Sequence, residues 1–248
     1  ANATGDGVIF KEDSESNAVT LTRETVEENP IHTHKVLTTS GGAKVGYLLF
    51  NQFKRGYDET DLANSDEYEQ QLRTVFSEFK SAGVDELVLD LRYNPGGYVS
   101  TAQLLSSLIA PSSKLGTKWL ECRPNASRKS TWYNLLEASE VSNCNLSLDR
   151  LYVIASASSA SCSELMINNL RALDVEVIHI GSTTEGKVVG MEVIDHLFNS
   201  TDKAIFGNYQ YTLHPVSFRS YDAKGTSDYG NGLKPNHFYD EYMDENSL

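Results

Sequence analysis

The chain has 248 residues, and its 40% of hydrophobic residues are enough to form one large buried core. Its formal net charge of −13 argues against a nucleic acid or an anionic membrane surface as partner, because both require a basic face. No apolar run is long enough to span a bilayer and no signal peptide pattern opens the sequence, so a soluble mature chain is expected.

The cysteines set limits on covalent cross-links and metal binding. There are three, Cys122, Cys144 and Cys162, so at most one disulfide can form, and Cys122 with Cys144 is the expected pair. Cys162 then stays a free thiol. No spacing of cysteines and histidines resembles a zinc or iron site, and we expect neither a metal nor a cofactor.

The N-terminal part is polar and acidic. We predict that residues 1–35 form a peripheral segment with a short strand at residues 19–23, and that residues 36–248 form the core. An apolar run at residues 45–50 predicts the first core strand. A helix should follow it, because apolar residues recur at helical spacing up to a stop signal at Gly83; these residues are Leu72, Val75, Phe76 and Phe79.

A strand, a glycine turn and a helix come next. Residues 87–97 read Leu-Val-Leu-Asp-Leu-Arg-Tyr-Asn-Pro-Gly-Gly, and the apolar pattern after them is helical. Adjacent glycines at 96 and 97 permit positive φ and let a main-chain N–H face a ligand, which suits an oxyanion donor. A plain turn is the alternative interpretation. Residues 117–122 then predict a strand, and the polar excursion at 123–149 either covers a cleft or packs on the surface.

The same unit occurs a second time. A buried strand at residues 151–154 leads through a turn of small residues into an amphipathic helix that opens at Ser161. A helix N-terminus offers unpaired N–H groups and positive potential to an oxyanion, so Ser161 is a candidate nucleophile. The alternative is that Ser161 and Glu164 only form a capping box, which is common at helix starts.

A lysine lies between glycines downstream. Residues 178–190 read as an apolar strand followed by a loop that contains Gly186 and Lys187. Most loop lysines are solvated, but a lysine enclosed in a site can lose its proton near neutral pH and then accept the proton of a serine. Strands are predicted further on at residues 188–194, 204–208, 211–213 and 215–219. Alternating strands and helices, with nearly continuous apolar strands, predict an α/β layered fold with crossover connections.

Three motifs in this order resemble those of the C-terminal processing (tail-specific) proteases. They are the Leu-Asp-Leu-Arg-Tyr-Asn-Pro-Gly-Gly run, Ser161-Cys-Ser-Glu164, and the Gly186-Lys187 pair. The resemblance covers roughly residues 36–240 and implies a crotonase/ClpP-like layered β/α core, with additional C-terminal strands and a short N-terminal appendage. It identifies Ser161, three residues before a glutamate, as the nucleophile and Lys187 as the general base.

The resemblance also implies the rest of the site. The oxyanion hole is expected from the backbone N–H of Cys162 and Gly96, with Gly97 as the alternate donor. A polypeptide cleaved near its C-terminus is the implied substrate, and export to the bacterial periplasm or cell envelope the implied location. Cys162 stands where the family usually has alanine, and Met191 where several members have a glutamine that helps to orient the lysine. No PDZ domain is expected within this sequence.

Three other functions compete with this interpretation. A Ser/His/Asp triad is disfavoured because none of the six histidines is glycine-flanked or acid-paired, and His179 reads as a core residue. A catalytically inactive peptide-binding relative is an alternative, given Cys162 and Met191. A crotonase-like acyl-CoA enzyme is the third, but no basic cluster for the CoA phosphates appears, and the Ser161 and Lys187 pair would have no role.

Overall fold

A computed structural model describes residues 28–57, 65–125, 130–192 and 213–239. Within these ranges the chain forms two sheets and three α-helices. The strands are β1 Ile31–Thr38, β2 Lys44–Phe50, β3 Glu86–Asp90, β4 Lys118–Pro124, β5 Trp132–Leu135, β6 Arg150–Ala155, β7 Glu176–Gly181, β8 Val189–Met191, β9 Val216–Asp222 and β10 His237–Phe238. The helices are α1 Glu67–Ala82, α2 Val99–Ile109 and α3 Cys162–Ala172.

The larger sheet has six strands in the order β1-β2-β3-β6-β7-β10. From β2 to β10 neighbouring strands are parallel, and β1 pairs antiparallel with β2 at the edge. Parallel neighbours need crossovers, which α1 supplies between β2 and β3 and α3 between β6 and β7. The α/β layered fold with crossover connections is therefore confirmed.

Helix α1 forms where its apolar spacing predicted it. Leu72, Val75, Phe76 and Phe79 are all buried on one face. Gly83 ends the helix in the left-handed conformation, with φ 70°, and its N–H donates to Lys80 O at 3.0 Å. Glycine is favoured at this position because a residue with a β-carbon would be strained there.

The smaller sheet is antiparallel, in the order β5-β4-β9-β8, and it packs on α3 through β4 and β9. Strand β5 lies inside the polar excursion and was not predicted. The Trp132 ring packs edge-on against Phe218 of β9, with 5.1 Å between ring centroids. After β5, the side chains of Leu136, Val141 and Cys144 are buried in the core. The excursion therefore supplies an edge strand and core residues, which neither of the two interpretations anticipated.

The structure differs from the sequence interpretation at the N-terminal side. Strand β1 was not predicted, and it crosses the boundary placed at residue 35, so the main sheet reaches back to Ile31. Most of β1 is exposed and its apolar residues do not alternate, which explains why the pattern gave no strand signal. The strands predicted at residues 19–23 and 204–208 lie outside the described residues, as do residues 211–212 of the strand predicted at 211–213.

The expected disulfide between Cys122 and Cys144 is wrong. Both cysteines are buried and free, as is Cys162. Cys122 lies in β4 of the smaller sheet, whereas Cys144 lies near enough to Arg73 and Lys80 of α1 for their charges to lower its pKa, against the larger rise that burial causes. No helix among the described residues is long and apolar enough to cross a membrane.

Candidate active site

The two strand-turn-helix units bring their turns together. Gly96 has φ +104°, and a β-carbon there would lie 2.7 Å from Ser161 Cβ and 3.0 Å from Cys162 N. Only a glycine allows so close an approach. The predicted convergence of the glycine turn and the serine turn is therefore confirmed.

Asn94 holds the glycine turn in place by hydrogen bonds to neighbouring segments. The sequence pattern did not reveal this role. Its buried side chain donates through Nδ2 to Phe50 O at 2.8 Å, and its Oδ1 accepts from the Gly96 N–H at 2.9 Å. Its carbonyl accepts from Ser163 Oγ at 2.9 Å and from Ala160 N at 3.1 Å. One residue thus links the end of β2, the glycine turn and the start of α3.

Ser161 has a backbone conformation that is uncommon for a residue with a side chain. Its φ is 56° and its ψ is −113°, and it is the residue immediately before α3. Such conformations cost about 1–3 kcal/mol and persist only where the surrounding structure enforces them, which is frequent at active sites. The side chain is half-buried at the N-terminus of α3, where the helix dipole favours negative charge.

Glu164 joins the serine turn to the lysine loop. Its carboxylate is fully buried and accepts four hydrogen bonds. Oε2 accepts from Ser161 N at 2.9 Å and from Lys187 N at 2.8 Å. Oε1 accepts from Thr184 Oγ1 at 2.6 Å and from Gly186 N at 2.6 Å. Glu164 is thus more than the capping residue of the alternative interpretation, because it ties Ser161 and Lys187 to one side chain.

The lysine loop is held from its other side by the segment at residues 230–233. A β-carbon at Gly186, where φ is +99°, would lie 2.7 Å from Gly230 O. Thr184 N donates to Leu233 O at 3.2 Å, and Leu233 N donates to Thr184 Oγ1 at 2.7 Å. Lys187 is half-buried in this loop, while the Glu185 side chain is exposed. The C-terminal segment therefore helps to fix the lysine.

The backbone donors near Ser161 differ from the expected assignment. The Gly96 N–H is already bonded to the Asn94 side chain, so it is not available to an oxyanion. Within the part of the chain that the structure describes, the N–H groups of Gly97 and Cys162 have no acceptor. The geometry therefore favours the alternate donor, Gly97. Gly96 instead packs closely against Ser161.

The candidate nucleophile and base open into one cavity of about 340 Å³. Its other walls are largely apolar, from Phe53, Val99, Leu165, Val189, Met191 and Phe218. A β-carbon at Gly190 would lie 1.9 Å from the Phe218 ring, so this glycine lets the ring pack against β8. The exposed side chain of His214, to which the sequence pattern gave no role, lies at the same cavity.

Burial shifts the pKa values of two residues, the Cys162 thiol beside the site and the His179 ring in the core. Burial raises the pKa of Cys162 to about 12, although the nearby Lys187 charge acts in the opposite direction. Its thiol therefore stays protonated near neutral pH. His179 is fully buried, as expected, and burial lowers its pKa. Its ring nitrogens have no hydrogen-bond partner among the described residues.

Comparison of this sequence with known proteins assigns it to one protein family. The model of peptidase family S41 matches residues 44–236. The carboxyl-terminal-processing protease of Picosynechococcus sp. is 26% identical over 200 residues, which are 79% of this chain and 41% of that protein.

Solved structures agree with this match. A structure from Bacteroides fragilis assigned to the S41 proteases is 30% identical, has a TM-score of 0.78 and covers 88% of this chain and 52% of its own. The photosystem II D1 C-terminal processing protease is 18% identical with a TM-score of 0.62 over 88% of this chain and 50% of its own, so it supports the fold alone. The chain thus spans about half the length of these relatives.

Proposed function

The chain belongs to peptidase family S41, and from this premise we propose that it is a serine peptidase that cleaves polypeptides near their C-termini. In this proposal Ser161 is the nucleophile and Lys187 the general base. The C-terminal preference follows the name of the curated relative. Export to the periplasm or cell envelope is part of the same proposal.

One observation carries the assignment of the two residues. Glu164 accepts the N–H of Ser161 and the N–H of Lys187 on the same carboxylate oxygen, at 2.9 and 2.8 Å. Both residues also line the same cavity. A surface lysine would not need a fully buried carboxylate and two glycines to fix its backbone. This arrangement supports a Ser/Lys pair rather than a capping box alone.

The first half of the reaction forms an acyl-enzyme. Neutral Lys187 Nζ accepts the hydroxyl proton of Ser161 while Oγ attacks the scissile carbonyl carbon. The carbonyl oxygen becomes negatively charged and accepts hydrogen bonds from the N–H groups of Gly97 and Cys162. The C–N bond then breaks, and the lysine returns the proton to the leaving amine.

The second half hydrolyses the ester. A water molecule gives its proton to Lys187 and attacks the Ser161 ester carbon, through an oxyanion held by the same two N–H groups. Collapse releases the new C-terminal carboxylate and restores the serine hydroxyl. The apolar walls of the cavity suit an apolar side chain of the substrate next to the scissile bond.

Proteolysis of an unfolded, C-terminally tagged polypeptide tests this function. We expect the chain to shorten the tagged substrate and the Ser161→Ala variant to leave it intact, with mass spectrometry of the products locating the cut. Equal activity in both proteins would refute the proposal. If the chain binds the substrate without cutting it in either form, it is the inactive peptide-binding relative instead.

A further inference from the structure

The backbone around the Gly97 N–H is held by hydrogen bonds on every side. Phe53 N donates to Gly96 O at 3.0 Å, and Tyr98 N donates to Phe53 O at 2.8 Å. The remaining carbonyl, that of Gly97, accepts a hydrogen bond from Cys162 Sγ at 3.1 Å. The thiol is therefore the side-chain contact that fixes the peptide following Gly97.

This segment depends on such contacts because glycines do not restrict their own backbone. Gly96 and Gly97 have φ values of +104° and +144° and no side chain to pack. A β-carbon at Gly97 would lie 2.2 Å from Phe53 O, so the position cannot gain rigidity from a larger residue. Orientation of the Gly97 N–H is thus left to its neighbours' hydrogen bonds.

The thiol is suited to act as a lasting donor. Its residue is only 2% exposed, so water does not compete for the Gly97 carbonyl. Burial raises the pKa of Cys162 to about 12, which keeps the S–H protonated over the pH range in which a lysine base would work. The same burial keeps the thiol from acting as a second nucleophile beside Ser161.

The geometry points to Cys162 as a positioning residue for the oxyanion hole: its thiol holds the peptide that follows Gly97, Phe53 N holds the peptide that carries the Gly97 N–H, and the Cys162 N–H is the second donor. This inference rests on the proposed function and extends it. An alanine at this position would supply the N–H but no thiol. In this chain one residue supplies one donor and helps to hold the backbone of the other.

A fluorophosphonate probe measures this effect without a known substrate. Ser161 Oγ bonds to phosphorus, the P–F bond breaks and fluoride leaves, and the hydroxyl proton passes to Lys187. The phosphoryl oxygen gains negative charge in the transition state, so the maximal inactivation rate reports on the oxyanion donors. The probe concentration at half-maximal rate reports on initial binding.

Three substitutions of Cys162 separate the hydrogen bond from packing. Cys162→Ala and Cys162→Val remove the donor, and we expect the maximal inactivation rate to fall about threefold to tenfold with unchanged half-saturation. Cys162→Ser keeps an O–H donor and should stay within about twofold of the wild type. Valine also fills the thiol's volume, so a loss shared by alanine and valine is not a cavity effect.

Cys122→Ala is the matched control, because Cys122 is 1% exposed and lies in β4, outside the site. We expect it to lower the melting temperature without changing the inactivation rate. Equal rates for Cys162→Ala and Cys122→Ala, or a serine variant as slow as the alanine variant, would overturn the role of Cys162. A wild-type chain that the probe does not label would refute the proposed function itself, and the inference with it.

Discussion

Replacing Glu164 with glutamine should weaken both the fold and the chemistry. The substitution keeps the shape of the side chain but turns one carboxylate oxygen into an NH₂ group. If the amide oxygen takes the place of Oε1, it still accepts from Thr184 and Gly186. The NH₂ group then faces the N–H groups of Ser161 and Lys187, two donors that Oε2 accepts in the native chain.

The expected loss follows from these contacts. Two hydrogen bonds to a charged acceptor disappear, each worth about 1.5–3 kcal/mol, and two backbone donors stay buried without an acceptor. We expect the free energy of unfolding to fall by about 3–6 kcal/mol, which is a large part of the roughly 5–15 kcal/mol typical of a domain. Because Ser161 and Lys187 lose their common anchor, probe labelling should slow about 10²-fold or more.

Urea unfolding measures the first effect, and the fluorophosphonate labelling rate of the folded protein measures the second. Glu69→Gln is the matched control: Glu69 is a buried carboxylate of α1 that accepts from Thr101 Oγ1 at 2.8 Å, outside the cavity. It should lose stability and keep its labelling rate. A Glu164→Gln variant that labels like Glu69→Gln would refute the anchoring role of Glu164.

Three further predictions follow from the same structure. Lys187→Ala should abolish turnover, and Lys187→Arg should not restore it because a guanidinium cannot accept the serine proton; full rescue by arginine in a proteolysis assay would contradict this. Gly96→Ala should reduce turnover about 10²-fold, because the new β-carbon displaces Ser161, and unchanged turnover would show that the turns can separate. Burial lowers the pKa of His179, so the unfolded chain binds a proton at this residue more readily than the folded chain, and stability should fall as pH drops through 6.5. The urea midpoints measured at pH 8 and at pH 5 should therefore differ less in His179→Phe than in the wild type. Equal differences in the two proteins would count against this.

Local patterns predicted much of the fold. The spacing of apolar residues in α1 and the stop at Gly83 sufficed for that helix, because its buried face and its cap are properties of adjacent turns. Strand β1 was not predicted, because an exposed edge strand needs no alternation of apolar residues. The pairing of Cys122 and Cys144 failed for a related reason, since sequence separation says nothing about which layer a residue enters.

The candidate site was predicted as a set of residues but not as a network. Ser161 and Lys187 were found from their motifs, and the structure brings both to one cavity. The roles of Asn94 and Glu164 depend on contacts between segments far apart in the chain, which no local pattern encodes. The proposal of Gly97 rather than Gly96 as an oxyanion donor likewise depends on the contact between the Asn94 side chain and the Gly96 N–H.

The central claim is that Ser161 is a nucleophile activated by Lys187. Peptide mass mapping after fluorophosphonate treatment of the wild type, Lys187→Met and Ser161→Ala tests it directly. We expect a single phosphonyl adduct on Ser161 in the wild type, no adduct in Ser161→Ala, and labelling slower by about 10²-fold or more in Lys187→Met. An adduct on another residue, or a Lys187→Met variant that labels Ser161 at the wild-type rate, would contradict it.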